Sequence, residues 1–173
     1  VQLSSTMKQD ATSGRIRQKE GVFMERPTLV VDDPITRVQD GMLAIQSLHL
    51  DKVRAKLQKP SPRGKNWTPE QATIADKWYR RFLTIGLKNP GVILVPNEEV
   101  DEIWHTHVLD MKQYEADTKR IFGKILYHVP SFGEVDLRPQ FAVTNELLRK
   151  EYGEDLSSSG DYEPRSCCCA ECN

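Results

Sequence analysis

The body of this chain has no cysteine. All four, Cys167, Cys168, Cys169 and Cys172, lie in the last seven of its 173 residues. A secreted domain framed by disulfides spreads its cysteines through the fold, so that class is excluded and the body is expected to fold without cross-links. Net charge is also lacking, with 24 basic against 25 acidic residues. No global field therefore favours nucleic acid or an anionic membrane. No run comes near the roughly 18 apolar residues that a membrane span needs, and no charged-then-apolar leader opens the sequence. The expectation is a soluble intracellular protein, cytoplasmic or held within a larger assembly. Three catalytic signatures are missing as well: no G-x-S-x-G, no HExxH and no glycine-rich phosphate loop occurs.

What is present points to helices. A chain of 173 residues is long enough for one domain with a real core and too short for two comfortable ones. From Pro34, behind an Asp cap, Ile35, Val38, Met42 and Ile45 recur at helical spacing, although Gly41 weakens the pattern. Leu50, Val53 and Leu57 mark a short second helix. Thr68-Pro-Glu-Gln71 has the form of a capping box, and Ile74, Trp78, Phe82 and Ile85 follow as an apolar stripe with Asp76, Lys77, Arg80 and Arg81 on the far side. Asn97 caps a central helix, a further helix runs from about Met111 to Phe122 with Gly123 as a left-handed stop, and a last helix ends at Gly153. The expected fold is mainly α, a single compact helical bundle spanning 28–156. A polar N-terminal arm (1–27) precedes it, and a Ser-rich acidic linker with a Cys-rich tail (157–173) follows.

The densest chemistry lies in the central helix, Val100-Asp-Glu-Ile-Trp-His-Thr-His-Val-Leu-Asp110. At about 100° per residue, Val100, Ile103, Trp104 and His107 share one stripe. His105 and His107 then point apart and cannot chelate one ion, whereas Asp101 stands four residues before His105 on the same flank and can accept its hydrogen bond. The following helix buries Met111, Tyr114, Thr118, Ile121 and Phe122, with Asp117 at the edge of that stripe. Two readings follow. His107, Asp117 and His128 converge on Zn²⁺ or Fe²⁺, with His105 and Asp101 at the rim. In the other, His107 is a neutral core histidine satisfied by His128 or Asp117.

Two outlying features carry further readings. Lys52, Arg54, Lys56, Lys59, Arg63 and Lys65 form a basic run that could hold phosphate or nucleic acid. It reads first as a solvated helix face and loop, because no aromatic is interleaved before Trp67. In the tail, Cys169 and Cys172 form a single C-x-x-C, half of a zinc site.

The same residues carry a resemblance. The central helix, Tyr114, Asp117, Phe122-Gly123 and His128, together with Trp67-Thr-Pro-Glu, Tyr79-Arg-Arg-Phe82, Asn89-Pro90 and Leu147 to Gly153, resemble the signature of the glycine-rich domain-containing protein-like family over about residues 45–156. Members often have Cys where this chain has Thr118. A metal or redox role for that thiol is therefore not implied here. The resemblance implies a fold without an assigned reaction. The leading functional expectation is a non-enzymatic interaction or structural module, a subunit or adaptor with protein partners that docks through its tails. A metal-dependent enzyme or metal-binding protein is the alternative, and the basic run is a third.

Overall fold

A computed structural model describes residues 33–130, 136–159 and 168–171. The expected N-terminal arm 1–27, the apolar run Thr28 to Val31 and Cys172 lie outside these residues. The described part is mainly helical, as the periodicities require. It has six α-helices, α1 (Pro34–Gln46), α2 (Asp51–Leu57), α3 (Pro69–Lys88), α4 (Glu98–Leu109), α5 (Met111–Phe122) and α6 (Arg138–Tyr152), with a single 3₁₀ turn at Leu156–Ser159. Two short strands, β1 (Tyr127–Pro130) and β2 (Cys168–Glu171), pair antiparallel. Residues 168–171 were expected in a tail and instead form a strand. No helix among the described residues is long and apolar enough to cross a membrane.

The starts and stops follow local chemistry. The Asp33 carboxylate accepts from the amides of Ile35 and Thr36 and opens α1, satisfying donors that have no partner in a helix's first turn. Thr68 and Gln71 form the reciprocal capping box of α3, and the Asn97 side chain accepts from Val100 N at the start of α4. Gly123 and Gly153 end α5 and α6 with φ of +75° and +71°, the left-handed conformation that glycine adopts without steric cost.

Packing departs from the simple stripes in instructive places. Ile35 is 68% exposed, Ile74 48% and Met111 75%, so the apolar period at those helix starts overshoots the contact. The buried face of α3 is rotated and runs through Ala72, Ala75, Asp76, Tyr79, Phe82 and Leu83. Asp76, expected on the wet side, is 7% exposed because it serves Arg80. Arg80 Nε donates to Asp76 Oδ1 at 2.6 Å, and the same guanidinium donates to the carbonyls of Ile45, Gln46 and Leu48. Ile45 and Gln46 lie in the last turn of α1 and Leu48 just beyond it, where a cation also meets the negative end of the helix dipole. Arg120 adds a donor to Ala44 O at 3.3 Å, and Arg37 returns the favour by donating to Phe122 O at the end of α5.

Gly41 is buried where α1 meets α3 and α5. A Cβ added there would stand 2.7 Å from Ile121 O and 2.6 Å from a Leu87 methyl. The glycine that weakens α1 as an isolated helix is thus what lets it approach α5. Gly41→Ala should gain the roughly 1 kcal/mol of alanine's helix propensity and lose about 1–3 kcal/mol to overpacking against a carbonyl that cannot move aside. A net loss of stability in urea unfolding is expected, and a stabilised variant would refute the close approach. Arg80→Ala should cost about 2–4 kcal/mol by the same measurement, since it strips three carbonyls and, among the described residues, leaves Asp76 the more distant Arg54, at 3.6 Å.

Candidate metal centre

The two faces of α4 hold two separate polar clusters. Val100, Ile103, Trp104 and His107 are its buried residues, as the helical count requires. Trp104 Nε1 donates to the Tyr114 hydroxyl at 2.9 Å, and that hydroxyl donates to Leu126 O at 2.5 Å. This relay joins α4, α5 and the segment entering β1. It also satisfies two buried polar groups that would otherwise each cost free energy.

In the buried cluster, His107 is 2% exposed. Its Nδ1 lies 3.1 Å from the Tyr79 hydroxyl on α3, and its Nε2 lies 3.3 Å from Asp117 Oδ2 on α5. The second contact is close but falls outside hydrogen-bond geometry, and Nε2 has no aligned partner among the described residues. Asp117 is held instead by Gln113, which donates to Oδ2 at 2.9 Å. Burial pushes the His107 pKa below its ordinary 6.5, opposed by the neighbouring Asp117 charge. Burial, with Tyr114 and Asp117 beside it, raises the Tyr79 phenol well above its ordinary 10.0. Tyr79 therefore stays protonated and donates to Nδ1, which assigns the ring proton to Nε2, facing Asp117. A neutral imidazole between a phenol and a carboxylate ties α3, α4 and α5 together.

The second cluster lies on the flank of α4. Asp101 Oδ1 is 3.1 Å from His128 Nε2, and Asp101 Oδ2 is 3.3 Å from His105 Nδ1. The two imidazole centroids are 4.1 Å apart, and the Trp104 ring packs against His128 at 4.2 Å. One ligand atom from each of Asp101, His105 and His128 lies within 4.8 Å of the others, which among the described residues makes this the gathering of metal-ligand types. Asp101 and His128 are half-buried and His105 is exposed, so the group opens to solvent.

The expected triad of His107, His128 and Asp117 is accordingly divided. His107 and Asp117 pair in the core, while His128 joins Asp101 and His105, the residues expected only at the rim. The physical reason is the helical step. Positions 105 and 107 lie about 200° apart on α4, and β1 runs along the 101/105 flank. Tyr79 was not expected at a site, because a tyrosine carries no sequence sign of what its hydroxyl will meet. The basic run stays on the surface, with Lys52, Lys56, Lys59 and Arg63 exposed. Arg54 lies near Asp51 and Asp76, and Lys65 donates to Glu102 at 2.6 Å. For Cys169 the backbone is described, in β2.

A family model described as UCP032817-like matches residues 44–154. The chain belongs to that family. This overturns the resemblance to the glycine-rich domain-containing proteins. The residues that carried it, from Trp67 to Gly153, all fall inside the matched span and are features of the UCP032817-like domain, an uncharacterised family. Nothing among the curated proteins or the solved structures matches the chain. Both polar clusters sit within the UCP032817-like span, whereas β2 lies beyond it.

Two expectations follow for the buried cluster. Tyr79→Phe keeps the ring and removes the donor, leaving Nδ1 buried and unsatisfied, at a cost of about 1–3 kcal/mol in urea unfolding. The pH dependence has a definite sign. With the folded pKa held below 6.5, the unfolded chain takes the proton first as pH falls. The contribution of neutral His107 is therefore complete above that value and lost below it, at no more than about 1.4 kcal/mol per pH unit. His107→Gln should flatten the urea midpoint between about pH 7 and pH 5, and an identical profile in both proteins would contradict this.

Proposed function

We propose that this domain binds a divalent transition metal, Zn²⁺ or Fe²⁺, through Asp101, His105 and His128. The observation that carries the reading is the placement of one carboxylate between two imidazoles, with nitrogen-to-oxygen separations of 3.1 and 3.3 Å. Ligands bound at about 2.0–2.2 Å in a tetrahedron stand roughly 3.3 Å from one another. Little movement is thus needed to turn the three groups from each other toward an ion. Two imidazoles and one carboxylate also form the donor set that suits zinc or ferrous iron.

The cluster has two states. Without a cation, His128 Nε2 is hydrogen-bonded to Asp101 Oδ1 at 3.1 Å and His105 Nδ1 stands 3.3 Å from Oδ2. With one, each neutral ring carries its proton on the nitrogen away from the ion and turns the lone pair of the other toward the metal. Protons compete for those lone pairs, so binding weakens as pH falls. The Trp104 ring beside His128 and the relay through Tyr114 hold one side of the site rigid, while His105 stands at its wet edge.

The test is metal content and competition titration on untagged protein in which all four cysteines are changed to Ser, so that only these three residues are measured. About one equivalent of zinc or iron is expected. His128→Ala and His105→Ala should each weaken it by more than the roughly 10- to 100-fold that loss of a supporting hydrogen bond costs, with the helical circular dichroism kept. Full metal occupancy in both variants, or none in the parent, would overturn the reading.

A further inference from the structure

The start of α1 and the ends of α3 and α5 border a cleft that shares no residue with the candidate metal centre. Its volume is about 430 Å³, toward the lower end of the roughly 300–1,000 Å³ of small-molecule sites. Val38, Leu87 and Phe122 give it apolar walls, and Gly86 brings bare backbone to its surface. Two cations, Arg37 and Lys124, also line it, and among the described residues no carboxylate does. We infer that this cleft binds a small amphiphilic monocarboxylate, its apolar chain against Val38, Leu87 and Phe122 and its carboxylate toward Arg37 and Lys124.

Each part of the assignment has a physical source. Leu87 and Phe122 belong to the packed core, so the walls are preformed and a ligand meets them without ordering them first. Leu87 is pressed against α1, where a Cβ on Gly41 would stand 2.6 Å from its methyl. Arg37 is fixed as well. Its Nη2 donates to Phe122 O at 2.9 Å, and a Cβ on Gly123 would stand 2.5 Å from that nitrogen, so the guanidinium lies against the left-handed end of α5. A cation already held in place loses little side-chain freedom when an anion arrives. Asp33, the carboxylate next to the cleft in sequence, is turned to the amides of Ile35 and Thr36 and does not compete. The two kinds of lining then select the ligand. A purely apolar molecule gains nothing from the two charges, a cation is repelled by them, and an anion without an apolar part leaves the walls wet. One carboxylate on a chain of roughly ten carbons meets both requirements in a site of this size.

Decanoate titrated into the full reduced chain, followed by the amide resonances of isotope-labelled protein, tests the proposal. A chelator is present throughout, so that no metal ion recruits the carboxylate and the outcome is separate from that of the metal reading. Saturable shifts are expected at the amides of Arg37, Gly86, Gly91 and Lys124, with those of Asp101 and His128 unmoved. Octanoate should bind roughly tenfold more weakly, as the loss of two buried methylenes requires. Decanol, the uncharged match, should bind more weakly than decanoate. Lys124→Glu should weaken decanoate about 3- to 10-fold and leave decanol unchanged. Val38→Trp fills the cleft and should abolish binding of both, with the helical circular dichroism kept; Lys124→Glu decides the matter if the larger side chain disturbs the fold. Shifts scattered over the surface, or no saturation by about 1 mM, would overturn the site. Equal affinity for decanol and decanoate, or for decanoate in wild type and Lys124→Glu, would overturn the anionic class of ligand and with it the proposal.

Discussion

The Tyr114 hydroxyl accepts from the indole of Trp104 and donates to the carbonyl of Leu126. Through that one oxygen, α4, α5 and the approach to β1 are held in a single arrangement. Trp104 is fully buried, so its N–H must find an acceptor inside the protein, and the phenol supplies one while stopping the loose end of the chain beyond α5. The position of His128 follows. Two residues past Leu126, it lies against the other side of Trp104 and meets Asp101. The candidate metal centre therefore depends on a hydrogen bond that belongs to the core.

Around that core, the same residue types serve opposite ends according to where the helix turns them. His107 faces inward and is kept neutral by burial, its two nitrogens set between Tyr79 and Asp117. His105, two residues earlier, faces outward beside a carboxylate and a second imidazole. Asp117 is buried and occupied by Gln113, while Asp101 is shared between two rings at the surface. A histidine and a carboxylate in contact are thus a structural joint in one place and a candidate ligand set in the other. Solvent access and the presence of a third donor separate the two.

The arginines repeat the theme of paired ends. Arg80 and Arg120 take the carbonyls that α1 leaves open, and Arg37 takes one from α5. These charges are engaged with backbone and with Asp76, whereas Lys52, Lys56, Lys59 and Arg63 stay exposed. Gly41 completes the joint, because the close approach of α1 and α5 has no room for a Cβ.

Much of this was legible without coordinates. The caps at Asp33, Thr68 and Asn97, the glycine stops at 123 and 153, and the inward stripe of α4 are local events, decided within one or two turns by hydrogen bonds and backbone sterics. The Asp101–His105 pair is local for the same reason. The departures came from contacts distant in sequence. Ile35, Ile74 and Met111 have core periodicity but no neighbour to cover them, and Asp76 has polar character but an arginine that draws it inside. The partner of His128 was misassigned because nothing local says which flank of α4 the chain meets after α5, and the pairing of β2 with β1 spans about forty residues. The sequence by itself determined the helices, their ends and the opposition of His105 and His107, since these depend on the 3.6-residue turn. Tertiary structure alone decided which histidine joined which carboxylate, because that choice depends on how separate helices pack and on where the chain beyond them is tied down.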